Sequence, residues 1–489
     1  VHMQEGSVKL PETVTVSLGD FAPWCLEAFA ARLDGHVEIA ENGFITLKKA
    51  DIAKEGYKLT VTKDGITVEA ADESGAVWAL TTVTELTAEG EALPIVTIED
   101  APHYGHRGLS LDCSRHFFTA DEVKKVIDQM TRVKLNVLHW HLVDDQGWRI
   151  ECKTLPLLHE TTGTYYTQEE IRSVIEYARV RGMEIIPEID MPGHTRSMIA
   201  AYPHLSCFGE KTELCQFGGI FEKILCPGKD ETFEFIEKLL TEVCALFPDD
   251  RFHIGGDEAP KTEWKKCPHC QALMKKQGMK SPQEIFSYFV LRLEKIAHEE
   301  GKRCMFWDEA SATNGLSAGT VISGWHDLKA CTETVDRGLP VIVMPASYCY
   351  IDMKQNAFDR GHTWAWLVDT RRVYALDPAS VTASAEKSKL VRGVEGALWA
   401  ELLDHPDRIA EYQAYPRLCA LAEVGWSRPE VRDWNDFYVR LTGTHLARLD
   451  AMGIGFHLFA PEIKYDHGVI SAASLPHATI RYTADDTDP

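Results

Sequence analysis

Asp121-Glu-Val-Lys-Lys-Val-Ile-Asp-Gln-Met-Thr-Arg-Val-Lys-Leu-Asn-Val-Leu-His-Trp-His-Leu-Val143 carries two patterns in succession. Over 121–134 the apolar residues Val123, Val126, Ile127, Met130 and Val133 recur at three- and four-residue spacing, so one helix face turns toward a core. Over 137–143 the run is short and compact, as in a strand covered on both faces. Outward from this stretch the alternation repeats, with no long linker between its parts. The pattern predicts eight strands, at 108–113, 137–143, 184–189, 251–255, 303–307, 321–325, 341–344 and 393–399. Helices are predicted at 121–134, 168–181, 231–247, 282–300, 328–337 and 406–424, with weak helical signal after the fifth and seventh strands. Eight such units over roughly 350 residues predict an α/β protein built on a (β/α)₈ TIM barrel with long loops. A doubly wound sheet is the structural competitor, but no glycine-rich phosphate loop follows any strand.

Before the barrel, short alternating runs such as Val14-Thr-Val-Ser-Leu18, Tyr57-Lys-Leu-Thr-Val61 and Ile66-Thr-Val-Glu69 read as a half-exposed sheet, with helical spacing over 24–33 and 74–86. The organisation predicted is a small α+β domain over 1–102, the barrel over 103–460 and a short C-terminal β segment over 461–489. In that last part, 478–489 reads as one strand that either docks on the barrel or opens a further β domain. Val1-His-Met3 reads as a cloning remnant, and an exported bacterial protein whose signal peptide is not in this sequence is the expectation.

Lys and Arg number 51 against 74 Asp and Glu, a formal charge of −23, whose field repels a phosphate backbone, so nucleic acid is not an expected partner. Mean hydropathy is −0.20 and no apolar run approaches the roughly 18 residues of a membrane span, so no membrane partner is expected. Nothing in the sequence indicates the oligomeric state. Thirteen cysteines, an odd count, leave at least one sulfur without an intrachain partner. Cys267-Pro-His-Cys270 suggests zinc, but a single C-x₂-C lacks a second pair and reads as a loop disulfide or two free thiols. Cys207, Cys215 and Cys226 crowd one loop, where a disulfide among them is plausible with its partners open.

In such a barrel the loops after the strands build the site. Those ends carry Asp112, Arg115 and His116; His139, His141, Asp144 and Asp145; Glu188, Asp190 and His194; Asp257 and Glu258; Trp307 and Asp308; Trp325 and His326; Trp399 and Glu401. Carboxylates beside tryptophans suit a sugar, whose apolar C–H faces stack on indoles while its hydroxyls are taken by acids and Arg. A metal-dependent barrel hydrolase is the reading from another class, because His139-Trp-His141 sets two imidazoles on one strand face; satisfied core histidines are the expectation instead. Composition lends Asp257-Glu258 little weight, since 74 acids in 489 residues make about 11 adjacent acid pairs by chance. Its context, His253-Ile-Gly-Gly-Asp-Glu258, is more specific: a buried strand, two glycines that permit close approach, then two carboxyls at the strand mouth.

These segments resemble glycoside hydrolase family 20, the β-N-acetylhexosaminidases. The resemblance runs from about residue 8 to the C-terminus. It rests on Arg107-Gly-Leu-Ser-Leu-Asp-Cys-Ser-Arg-His-Phe117, Asn136-Val-Leu-His-Trp-His-Leu-Val-Asp-Asp-Gln-Gly-Trp-Arg149, Pro187-Glu-Ile-Asp-Met-Pro-Gly-His194, His253-Ile-Gly-Gly-Asp-Glu-Ala259 and Gly396-Ala-Leu-Trp-Ala-Glu401. It implies exo-acting removal of terminal β-linked GlcNAc or GalNAc from a glycan, with retention and without cofactor or metal. The nucleophile implied is the substrate's own 2-acetamido oxygen, through an oxazolinium intermediate. Glu258 is implied as the acid and base, a role that requires a pKa raised toward neutrality. Asp257 is implied to orient the acetamido N–H, and Tyr350 to hydrogen-bond the nucleophilic oxygen. Trp307, Trp325 and Trp399 would wall the acetamido pocket, Arg115 would grip the 3- and 4-hydroxyls, Glu401 the 4- and 6-hydroxyls, and Asp352 a further hydroxyl. His194 with Asp144, chosen over Asp145, resembles a buried pair behind the acid. Within the family a lacto-N-biosidase, which releases a disaccharide, is the alternative. A non-catalytic lectin-like barrel is disfavoured by Asp257, Glu258 and Tyr350.

Overall fold

The computed structural model describes residues 1–87, 92–403, 406–474 and 478–483. Eight parallel strands close a barrel in sequential order: β1 (His106–Asp112), β2 (Val137–His141), β3 (Glu184–Glu188), β4 (Arg251–His253), β5 (Arg303–Trp307), β6 (Val321–Gly324), β7 (Val341–Val343) and β8 (Val391–Leu398), with β8 pairing back to β1. The helix ahead of β2 spans Ala120–Arg132; Thr119 and Glu122 cap it reciprocally, and Val123, Ile127 and Met130 on its apolar face are buried. Every residue of β2 is buried, as a strand inside a ring of helices must be. The weak signal after the fifth and seventh strands corresponds to single short turns of helix, Asp308–Ala312 and Ala346–Cys349.

The helix predicted over 406–424 is two helices, Pro406–Ala414 and Arg417–Trp426. Pro416 separates them, since proline has no N–H to give to the helical ladder. The apolar periodicity runs through the break because both halves pack on the same barrel.

Ahead of the barrel stands a seven-stranded mixed sheet. Its order is His2–Val8, Leu93–Asp100, Tyr57–Thr62, Gly65–Ala70, Ile45–Lys49, Val14–Ser17, Val37–Ile39. Helices Glu27–Arg32 and Glu73–Thr87 pack together against it. Of the residues read as a cloning remnant, His2 and Met3 belong to its edge strand, where they pair with Thr97 and Val96. The change of pattern near residue 102 falls in the connection between this sheet and β1. There Arg107 and Asn136, at the N-terminal ends of β1 and β2, meet Glu55 of the sheet domain. The Arg107–Glu55 pair is buried at 2.7 Å, and Trp78 Nε1 donates to the same carboxylate at 2.9 Å.

At the C-terminus the structure departs from the single strand expected over 478–489. Residues 478–483 are not strand and 484–489 lie outside the described residues. Two exposed strands precede them, Glu462–Asp466 and Val469–Ala473, paired as a hairpin. Neither strand buries a face, although Glu462-Ile-Lys-Tyr-Asp466 alternates polar and apolar residues.

Candidate active site

The loops after the strands of the barrel enclose a cavity of about 560 Å³. Its wall includes Arg115, Asp144, His194, Asp257, Glu258, Trp325, Tyr350, Asp352, Trp399 and Glu401. These are ten of the eleven residues implied by the resemblance. The eleventh, Trp307, does not reach the cavity: at 1% exposure it lies one layer below, its ring 5.9 Å from that of Trp399, and its Nε1 donates to Glu188 at 2.8 Å. A strand-end position gives the end of the barrel but not the depth.

The doublet depends on its two glycines. Gly255 has φ +73° and Gly256 φ +98°, and a Cβ on Gly255 would stand 1.7 Å from Asp190 Oδ1. That approach brings Asp190 against the turn, where its Oδ1 accepts the Gly256 N–H at 3.1 Å. Glu258 itself has φ +43°, an unfavourable value for a residue with a side chain, and His194 has φ +52°; such strain gathers at functional sites. His194 Nε2 lies 3.6 Å from Asp257 Oδ2 and 3.4 Å from Glu258 Oε2, so both carboxylates reach one imidazole nitrogen. Its Nδ1 is 3.1 Å from Asp144 Oδ1 and 3.5 Å from Asp145 Oδ2.

Charge in this cluster follows from burial and neighbours. Burial, with the Asp190 carboxyl alongside, holds the Asp257 carboxyl well above its ordinary range. Burial alone would depress His194, but the Asp144 and Asp257 carboxylates raise it well above its ordinary value. Asp144 is held low against burial by Arg115, 2.7 Å away, and by His194.

Across the cavity Arg115 is fixed by Asp144, by Asp112 at 3.3 Å, by Gln146, which accepts from its Nε at 3.0 Å, and by the Trp399 face at 5.3 Å. Its guanidinium is thereby held rigidly, with Glu401 4.0 Å away. Asp352 is buried with neither carboxyl oxygen hydrogen-bonded, and Asp257 Oδ1 is likewise unpartnered. Buried polar atoms without partners are uncommon, and here they face a cavity. Tyr350 stacks on Trp325 at 6.1 Å and 15°, and meets Trp364 and Trp399 edge-on.

Several residues in or behind the wall escaped the sequence reading. Glu309 accepts from Trp325 Nε1 at 3.1 Å and from the Glu258 N–H at 3.3 Å, and burial with Asp257 nearby pushes its carboxyl up to about 8. Phe217, Gly218, His362 and Trp364 come from long loops that no strand-end rule covers. Arg417 is buried behind the wall, where it donates to the carbonyls of Met353 at 2.8 Å, Val368 at 2.7 Å and Ile351, bracing the loop that carries Tyr350 and Asp352. A lone Arg in an apolar helix was the available signal.

Beneath the cavity the His-x-His pair enters a carboxylate network. His139 Nδ1 meets Glu395 at 2.8 Å and its Nε2 meets Glu188 at 3.1 Å; His141 pairs with Glu188 and, at 3.0 Å, with Asp144. Each ring nitrogen therefore already faces a carboxylate. Burial opposes charge on these rings, yet Glu395 and Glu188 raise His139 to about 9 and Glu188 raises His141 to about 10. A raised imidazole pKa stabilises the fold fully below its unfolded value of 6.5, and the gain is lost as pH rises through 9 to 10. The difference in Tm between the wild type and His139→Gln should accordingly shrink from about pH 6 to about pH 10. Scanning calorimetry across that range checks it, and a constant difference would contradict the assignment.

Comparison with known proteins follows the same lines. The model for the catalytic domain of glycosyl hydrolase family 20 matches residues 104–429, and that for the family's domain 2 matches residues 1–101. A β-hexosaminidase of Porphyromonas gingivalis is 36% identical over 470 residues, covering 90% of this chain, which spans only 60% of that protein's length. One from Vibrio furnissii is 37% identical over 411 residues, covering 78% of this chain and 67% of that protein. Among solved structures, an exo-β-N-acetylglucosaminidase from Vibrio harveyi in complex with N-acetylglucosamine superposes with a TM-score of 0.85 at 34% identity, covering 93% of this chain and 76% of the other.

Proposed function

Because the chain belongs to glycosyl hydrolase family 20, we propose that it is an exo-acting β-N-acetylhexosaminidase that releases terminal β-linked GlcNAc or GalNAc by substrate-assisted, retaining hydrolysis. The observation that carries this reading is that Asp257 and Glu258 reach the same imidazole nitrogen, His194 Nε2. Retaining glycosidases with an enzymic nucleophile set two carboxyls on opposite sides of the sugar; substrate-assisted families are the exception. A doublet gathered on one imidazole suits the exception.

In this mechanism Glu258 gives its proton to the glycosidic oxygen while the acetamido oxygen attacks the anomeric carbon and the leaving group departs. Glu258 then takes a proton from water as the oxazolinium ring opens, and retention results from two inversions. Asp257 Oδ1, without a partner in the protein, accepts the acetamido N–H. Burial and the neighbouring Asp190 hold the Asp257 carboxyl well above its ordinary range, and the positive charge growing on the oxazolinium favours its ionised form. Trp325, Trp399 and Tyr350 curl the acetamido group against the anomeric carbon, and Trp307 supports Trp399 from below. Arg115, Glu401 and Asp352 take ring hydroxyls.

Geometry behind Glu401 supports release of one sugar rather than lacto-N-biose. A Cβ on Gly218 would lie 3.0 Å from Glu401 Cγ, and His362 Nε2 is 3.9 Å from Glu401 Oε2, so two loops crowd Glu401 at that end of the cleft. Nitrophenyl β-GlcNAc and β-GalNAc should be hydrolysed, with nitrophenyl lacto-N-bioside a poor substrate. Preference for the lacto-N-bioside would move the chain to the biosidase reading. Export of the mature protein from a bacterial cell is part of the same proposal, since polymeric glycans lie outside the cytoplasm.

Asp257→Asn keeps the volume and removes the charge that opposes the oxazolinium, so kcat should fall by about 10²-fold or more while KM changes little. Steady-state kinetics on nitrophenyl β-GlcNAc decide it. A loss confined to KM would assign Asp257 to ground-state binding only.

A further inference from the structure

Away from the cleft, four cysteines from two loops converge: Cys207 and Cys226 from the loop after β3, Cys267 and Cys270 from the segment after β4. All four are buried, and their sulfurs lie within 4.8 Å of one another. The separations are 3.6 Å for Cys226–Cys270, 3.7 Å for Cys226–Cys267 and 4.0 Å for Cys207–Cys270. A disulfide needs roughly 2.05 Å. Four thiolates about 2.3 Å from one zinc ion stand at tetrahedron edges of about 3.8 Å, which these three separations bracket.

We propose that Cys207, Cys226, Cys267 and Cys270 form a closed tetrathiolate site for one zinc ion, which staples the loop after β3 to the segment after β4. The backbone is shaped for it. Cys226-Pro-Gly228 packs so tightly on the start of helix Pro268–Gln277 that a Cβ on Gly228 would lie 2.3 Å from the His269 carbonyl carbon and 2.4 Å from the Cys270 nitrogen. Cys267 is the N-cap of that helix, whose positive end favours thiolate. Hydrogen bonds to main-chain carbonyls frame the site: the Cys226 N–H donates to the Leu205 carbonyl at 2.9 Å, and Trp264 Nε1 to the Leu225 carbonyl at 3.0 Å. Cys215, in the same loop, is turned away, its thiol donating to the Phe217 carbonyl at 3.2 Å.

Binding is a simple exchange in which Zn²⁺ displaces the four thiol protons, with no change of oxidation state. A closed shell of four sulfurs leaves no position for water or substrate, so the role is structural. The stapled loop carries Phe217 and Gly218 into the cleft wall, and the other segment begins at Asp257-Glu258. The inference does not depend on the reaction assigned to the cleft. It also replaces the sequence expectation of a loop disulfide or unligated thiols: the second pair missing from Cys267-Pro-His-Cys270 is Cys207 with Cys226, 41 to 63 residues earlier in the chain.

The test is metal analysis of the full chain purified without chelator from zinc-replete cells, together with intact mass under denaturing conditions. The expected result is about one zinc per chain with all thirteen cysteines reduced. Cys207→Ser and Cys270→Ser should lose it, whereas Cys215→Ser should keep it. Should the cluster variants fail to fold, the wild-type chain refolded with Co²⁺ should show the thiolate-to-metal charge-transfer and d–d bands of a tetrahedral CoS₄ centre. Zinc-free wild-type protein from zinc-replete cells, a mass short by the hydrogens of a disulfide among these four, or zinc retained by both cluster variants would each overturn the site.

Discussion

Glu258→Gln should lower turnover by about 10²- to 10⁴-fold on substrates with poor leaving groups, such as a GlcNAc-terminated oligosaccharide. The amide fills the same space but has no proton to give to the departing oxygen. It also keeps the positions made by the backbone: φ +43° at residue 258 and the N–H donated to Glu309 are properties of the main chain. Binding of product should therefore survive. Nitrophenolate departs with little protonation, so the loss on nitrophenyl β-GlcNAc should be much smaller. Comparing kcat/KM for the two substrate types gives the answer, and equal losses on both would remove Glu258 from the role of acid.

Replacing the 2-acetamido group of the substrate by a hydroxyl should abolish hydrolysis almost completely. An internal nucleophile held in line with the anomeric carbon is worth up to roughly 7 to 11 kcal/mol, and a β-glucoside has none. It would also leave Asp257 Oδ1 buried without a partner and the space between Trp325, Tyr350 and Trp399 unfilled. By the same argument a thiazoline analogue of the cyclised sugar should bind far more tightly than GlcNAc, because it resembles the intermediate. Comparable kcat/KM for nitrophenyl β-glucoside and β-GlcNAc, or no competitive inhibition by the thiazoline, would return the search to an enzymic carboxylate nucleophile.

Legibility differed by feature. The eight barrel strands were readable because each has a short, mostly buried run of apolar residues followed by helical spacing, a pattern that survives projection onto one dimension, even though ionisable residues such as His139, Glu188 and Glu395 sit inside the barrel. The helix between residues 406 and 424 was readable as a face but not as two pieces, since Pro416 interrupts the hydrogen-bond ladder without altering which side is apolar. The hairpin Glu462–Ala473 falls inside the β segment expected over 461–489, but since it buries no face its two strands were not placed individually. Ten cavity residues were nameable from motif and strand-end position, whereas Glu309, His362 and Trp364 sit in loops that have no local signature and Arg417 showed only as a lone Arg in an apolar helix.

By itself, then, the sequence determined the barrel, the sheet domain before it, the doublet Asp257-Glu258 with its glycines, and the family of the chain. Each is encoded in neighbouring residues, through periodicity, turn chemistry or contiguous motif. Only the tertiary structure decided that Trp307 lies beneath the cavity, that His194 stands between Asp144 and both members of the doublet, and that four cysteines spread between residues 207 and 270 meet within 4.8 Å. Depth, distance and convergence depend on how loops from different strands pack against one another. That packing is set by burial and close contact between segments far apart in the chain, which no local pattern records.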